Sequence, residues 1–262
     1  MAGALGSTIA VGFEDGGLQI LNFEGDRVTD KSDLGVARLG DGHYLLLSGV
    51  PVTLFPGISQ AGDMKVFIHG GQLPQPLVYD LDVATSDRLD GLCSAAPETA
   101  DDGVMRLAFW TEAAPQILHS GRIVQINEEL VFLPDEPVEA NRAISACLLD
   151  ETGATVFSAP ALAAAGLERR AHRHVVTLDN SGNFQLSSDG EASQSLSIRN
   201  GITVDMPLLP VDMAGTGDTR SGGYPGGVLV VAGQAPNGDH GLVFIDPSQV
   251  TLSPFGFSTQ AP

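Results

Sequence analysis

The feature that most constrains what this chain can fold into is a recurring local grammar. A short apolar, β-branched segment leads into a turn rich in Gly, Asp or Asn, and a second short apolar segment follows. Thr8–Val11 precedes Glu14-Asp15-Gly16-Gly17 and Leu18–Leu21. Further leading segments stand at Val66–Ile68, Met105–Trp110, Ala143–Leu149, His174–Leu178 and Val228–Val231. Apolar runs this short, bounded by turn residues, are the pattern of strand pairs.

Other predicted strands fill the intervals. His43–Leu47 lies between glycines, Val52–Phe55 follows a bend at Gly49-Val-Pro51, and Ile123–Ile126 pairs with Glu129–Leu133 across Asn127-Glu128. The clearest hairpin joins Ala143–Leu149 to Ala154–Phe157 through Asp150-Glu-Thr-Gly153, with Gly where positive φ is required. One short helix is expected at Ala161–Ala165, because Pro160 suits a first helical turn and alanine has the lowest helical cost.

The first unit, Ile9-Ala-Val-Gly-Phe-Glu-Asp-Gly-Gly-Leu-Gln-Ile-Leu-Asn22, resembles a strand pair from a β-propeller blade of the WD-repeat kind. The Trp-Asp signature of that family is missing, since the single tryptophan, Trp110, is not followed by Asp. Leading strands centred on Ala10, Phe67, Leu107, Ala146, Val176 and Val230 are separated by 57, 40, 39, 30 and 54 residues. Blades recur at roughly 40 to 50 residues, so the middle gaps fit and the outer ones require insertions. The expected fold class is all-β: successive antiparallel hairpins forming an irregular propeller-like barrel or packed sheets, with at most one or two short helices. A single domain over residues 1–262 is expected, the alternative being a boundary in the small, acidic stretch 94–103 that gives 1–93 and 104–262.

Composition excludes several functions. Hydrophobic content of 43% with 17% charged residues argues for a folded chain over a disordered one. The balance of 32 acidic against 13 basic residues, a net charge of −19 with only Lys31 and Lys65 as lysines, opposes binding to nucleic acid or to an anionic membrane surface. The one basic patch, Arg169-Arg170-Ala171-His172-Arg173-His174, reads as a solvated loop or a local partner for neighbouring acids. No apolar run is long enough to cross a bilayer, and the first residues lack the pattern of a secretory signal, so a soluble chain without an export signal is expected. Cys93 and Cys147 allow one bridge, but two reduced, buried thiols are the expectation.

Chemistry-bearing motifs are sparse. No Gly-x-Ser-x-Gly elbow occurs, and Gly215-Thr-Gly-Asp-Thr-Arg220 lacks the lysine and second half of a phosphate-binding loop. On a strand His172 and His174 would share one face and could share a metal, but zinc sites need further ligands and none is apparent nearby. Asp80 and Asp82, with Asp87 and Asp90, and the turn from Asp179 to Asn183 offer hard oxygen ligands for calcium. Neither fits the EF-hand spacing, and Asx-turns account for both without an ion. No cofactor is expected. The leading expectation is a non-catalytic structural or interaction protein, an assembly subunit partnered by itself or by other protein subunits as in a homo-oligomer or a phage or virion component. The alternative is a hydrolase or carbohydrate-binding β-domain with a loop-borne site, for which Asp212–Gly227 is the first place to look.

Overall fold

Strand pairs follow one another along the chain as the turn grammar requires. The computed structural model describes residues 8–23, 25–70, 73–99, 103–150, 153–169, 172–188, 193–196, 209–217, 224, 227–234 and 238–247. Every regular element among them is a strand. The Phe255-Gly-Phe257 tail, Arg170 and Ala171, and residues 218–223 of the Gly-rich stretch lie outside the described residues.

The chain divides into two compact units, Met1–Ala161 and Leu162–Pro262. In the first, β1 (Thr8–Gly12), β2 (Gly17–Asn22) and β3 (Ser32–Asp33) form a three-stranded antiparallel sheet. The second sheet contains β4 (Val36–Leu39), β5 (His43–Leu47), β6 (Val50–Ser59), β7 (Met64–Gly70) and β8 (Leu77–Asp80). Its long β6 pairs with β5 through its first half and with β4 through its second. The third contains β9 (Leu89–Ala95), β10 (Met105–Thr111), β11 (Ile117–Ile126), β12 (Glu129–Pro134) and β13 (Val138–Glu139). The stretch 94–103 connects β9 to β10, neighbours in this one sheet. Last comes the pair β14 (Ala146–Asp150) and β15 (Gly153–Phe157), the hairpin read from the sequence, with Gly153 at φ 116°.

These sheets stack face on face in chain order, because each strand alternates two apolar faces. Leu18 and Ile20 of β2 meet Val36, Phe55 and Phe67 of the second sheet. The opposite face of the second sheet sends Leu54 and Val66 against Leu107, Ile123 and Phe132 of the third. The far face of the third packs Ala108 and Trp110 on Ile144, Cys147 and Leu149. Each fully buried Leu, Ile or Phe contributes about 1.5–3 kcal/mol.

From Leu162 on, the second unit contains β16 (Ala161–Arg169), β17 (His172–Asp179), β18 (Phe184–Ser188) and β19 (Gln194–Leu196) in one meander, and β20 (Leu209–Thr216), β21 (Val228–Gln234) and β22 (His240–Ile245) in another. Val176, Leu178 and Phe184 pack there with Met213, Leu229 and Val231.

Three expectations are corrected. The helix expected at Ala161–Ala165 is the first half of β16: Ala163, Ala165 and Leu167 are buried at every second residue, and strand pairing with burial outweighs the helical preference of alanine. The opening of the Gly-rich stretch, Asp212–Thr216, belongs to β20, held by seven paired positions on β21 from Leu209 to Thr216. The cysteines are joined, not reduced: β9 and β14 lie side by side and bring Cys93 and Cys147 to a Cα separation of 5.7 Å, the usual spacing of a disulfide.

Candidate functional site

Of the residues singled out from sequence as metal candidates, His174, Asp80, Asp82 and Asp179 have partners in local structure. On β17, Nδ1 of His174 lies 2.6 Å from the hydroxyl of its cross-strand partner Ser188. His172 opens the same strand, and its side chain lies outside the described residues. Asp80 forms an ion pair with Lys65, directly opposite on β7. Asp82 accepts from the backbone N–H of Ala84 at 2.8 Å. Asp179 accepts from the side-chain amide of Asn183 at 3.0 Å and from the N–H groups of Asn183 and Ser181 at 2.9 and 2.8 Å, bonds that hold its carboxyl below the usual range. Among the described residues no group of three or more His, Cys, Asp or Glu side chains is placed to hold a metal ion.

A different set of charges converges where the second sheet meets the third. Pairing between β9 and β10 slips by one residue after Trp110, which faces Gly91, while Thr111 faces Leu89. Asp90 is thus the extra residue of a β-bulge. A second slip lies between β4 and β6, where Val36 faces Ser59 and Arg38 faces Ile58, so Ala37 is the extra residue. A bulge re-aims the side chains around it and occurs preferentially beside binding sites. Here the two bulges bring Arg38 and Asp90 together, with Nη2 of Arg38 3.8 Å from Oδ1 of Asp90.

Arg88 and Glu112 complete the group. Arg88 ends the connection from β8 to β9, and Glu112 follows the last residue of β10, donating its N–H to the Arg88 carbonyl at 2.9 Å. The guanidinium donates from Nε to Oε1 of Glu112 at 2.8 Å, from Nη1 to the Ala61 carbonyl at 2.9 Å and from Nη2 to the Gln60 carbonyl at 2.9 Å. Three bonds in different directions fix a long side chain that is still half exposed. Its stem lies across Gly62, where an added Cβ would stand 2.2 Å from Cγ of Arg88.

Two open clefts flank Arg88. One, about 270 Å³, is bordered by Arg38, Asp90 and Glu112 with Ala37, Ile58 and Leu89 as its apolar part. The other, about 250 Å³, lies over Asp63, Asp82, Thr85, Ser86 and Asp87. Both fall just below the roughly 300–1,000 Å³ of drug-sized sites, which suits a small polar ligand. Exposed ion pairs contribute only about 0–1 kcal/mol each to stability, so the cluster is a poor device for holding the fold together. Chemically, fixed guanidinium donors beside carboxylate acceptors suit a ligand with several hydroxyl groups, each of which donates and accepts.

Sequence reading named Asp82, Asp87 and Asp90 as oxygen donors but did not find Arg38, Arg88 or Glu112. The two arginines lie fifty positions apart in the chain, and no local motif connects them.

No family model matches the sequence, and no curated protein matches it. Solved structures do. The chain is similar to AofleA from Arthrobotrys oligospora, with a TM-score of 0.52 and 13% identity over 91% of this chain and 78% of that one. It is similar to the Aleuria aurantia lectin, described as having a six-bladed β-propeller fold and a fucose recognition mode, with a TM-score of 0.53 and 9% identity over 90% of this chain and 86% of that one. A variant of that lectin in complex with Fucα1-6GlcNAc gives a TM-score of 0.55 and 9% identity over 90% and 87%. At such identities the likeness shows the fold: the choice left open between a propeller and packed sheets is resolved as a β-propeller.

Proposed function

We propose that this protein is a carbohydrate-binding β-propeller and that the cleft bordered by Arg38, Arg88, Asp90 and Glu112 receives a sugar. The observation that carries the reading is the convergence of two β-bulges on one cleft, where donors and acceptors are held by bonds that add little to stability. Hydroxyl groups of a pyranose would meet carboxylate oxygens and guanidinium N–H groups, and a C–H face would meet the exposed Ala37. That the structural neighbours are lectins, one of them bound to a fucosylated disaccharide, supports a sugar ligand and makes fucosides the first probes. The same neighbours favour this alternative over an assembly subunit or virion component. The subunit reading draws on exposed apolar side chains of the second sheet, Tyr44, Leu46, Val50, Leu77 and Val78 among them.

The test is calorimetric titration of the purified protein with L-fucose, methyl α-L-fucoside and a panel of other monosaccharides, together with a glycan array. Arg38→Ala and Glu112→Gln should each weaken binding about tenfold or more while leaving the melting temperature within a few degrees, since both groups are exposed. Silence of the wild-type protein across panel and array would overturn the proposal.

A further inference from the structure

We infer that Trp110 is a positioning residue for the cleft: its indole N–H sets the Asp90 carboxylate, and the Cys93–Cys147 bridge holds the indole in turn. The inference rests on the carbohydrate-binding reading of the cleft, and it concerns a residue that does not line the cleft.

Nε1 of Trp110 donates to Oδ2 of Asp90 at 3.2 Å, and the other oxygen of the same carboxylate faces Arg38. Asp90 is the bulged residue of β9, so the ladder bonds that would orient an ordinary strand residue are disrupted at its position. The indole replaces them. Trp110 is 3% exposed, and its ring lies against Gly91, where an added Cβ would stand 2.0 Å from Cζ2 of the ring. No other residue type leaves room for the ring there. Behind it the ring packs with Cys93, Leu118, Ile144 and Cys147, all buried, in one apolar cluster. The disulfide crosses from β9, the strand that carries Asp90, to β14. Covalent bridge, indole and carboxylate therefore form one contiguous chain of contacts from the interior to the cleft, and loss of an inner member should release the outer one.

Trp110 is the only tryptophan in the chain, so a single indole N–H resonance reports on it. The experiment records that resonance in wild-type protein, in Asp90→Ala and in Cys93→Ala/Cys147→Ala. It also measures binding of L-fucose and methyl α-L-fucoside to wild type and to Trp110→Phe, which retains an aromatic ring and the disulfide but lacks the N–H. The expected result is an upfield shift of the indole proton in both Asp90→Ala and the cysteine double variant, with binding to Trp110→Phe weakened about tenfold at an unchanged circular dichroism spectrum. Wild-type affinity in Trp110→Phe, or an indole resonance unmoved by Asp90→Ala, overturns the inference. If wild-type protein binds neither these sugars nor any in the wider panel, the carbohydrate reading fails by itself. The coupling is then decided by the resonance: shifts in both variants support it, and an unmoved peak in either overturns it.

Discussion

At the scale of single residues, buried polar groups among the described residues differ in whether the fold supplies a hydrogen-bond partner. The oxygen of Thr29, 4% exposed, receives the N–H of Ile20 at 3.0 Å. His69 stands apart: it is 8% exposed on β7, and its Nδ1 has no hydrogen-bond partner. Thr53 lies opposite it on β6, and Tyr44 stands beyond Thr53 on β5, so both neighbours in its cross-strand row are uncharged. Burial holds the imidazole below its ordinary pKa, and His43 is displaced in the same direction, chiefly by burial. A depressed histidine pKa means that the unfolded chain binds the proton more readily than the folded one. The stability it confers is complete above the unfolded value of about 6.5 and is lost as pH falls below that value. Melting temperature should therefore decline between pH 7 and pH 5, before the carboxylates of Asp15 and Asp179, both displaced downward, begin to protonate. In His69→Phe the decline should be shallower than in wild type when followed by circular dichroism. An identical pH slope in the two proteins would show that His69 titrates alike folded and unfolded. The sequence shows a histidine on an apolar strand, but only the packing of Phe67 and its neighbours shows that water is excluded there.

At the scale of elements, one turn recurs. In Phe13–Gly17, Asn22–Asp26, Ser59–Asp63 and Asp179–Asn183 the first residue donates its N–H to the carbonyl of the fifth, and the fourth, a glycine, donates to the carbonyl of the first. This is the three-residue hairpin loop closed by a glycine bulge, which needs positive φ at its fourth position. Gly25 has φ 85° with nothing near its missing Cβ, whereas Gly62 has φ 91° with the stem of Arg88 against it. Both Gly25→Ala and Gly62→Ala should lose about 1–2 kcal/mol from the backbone alone. Only Gly62→Ala should also displace Arg88 and reduce sugar binding, and paired melting and titration curves distinguish the two effects. Equal binding losses in both variants would refute the role given to Arg88. Two of these turns are legible as Asp-Gly and Asp-Asn-Ser-Gly strings. Ser59-Gln-Ala-Gly62 carries one glycine and no Asp before it, so its geometry becomes visible only once the strands are paired. The misread segment at Ala161–Ala165 has the same cause in reverse, a local preference for helix overruled by partners distant in sequence.

At the scale of the whole molecule, the hairpins of the first unit stack in the order in which they follow along the chain, which is why the all-β architecture can be read from turn spacing. The cleft cannot be read that way. Arg38, Arg88, Asp90 and Glu112 meet only because the second and third sheets pack face to face, with a bulge at each contributing strand. The disulfide belongs to the same scale. Two cysteines 54 positions apart say nothing of their redox state until β9 and β14 are neighbours. Disulfides of this kind persist in oxidising surroundings and are lost where a thiol pool keeps cysteines reduced. Closing a loop of 54 residues removes about 4 kcal/mol of conformational freedom from the unfolded chain in the entropic account. Each kcal/mol shifts the melting temperature of a chain this long by about 2–4 °C. The variant Cys93→Ala/Cys147→Ala should therefore melt about 10 °C below the oxidised protein, and reductant should lower the wild type toward the variant without altering the variant itself. A double variant that melts with the oxidised wild type would mean that the bridge adds nothing to the packing of Trp110, Leu118 and Ile144 around it.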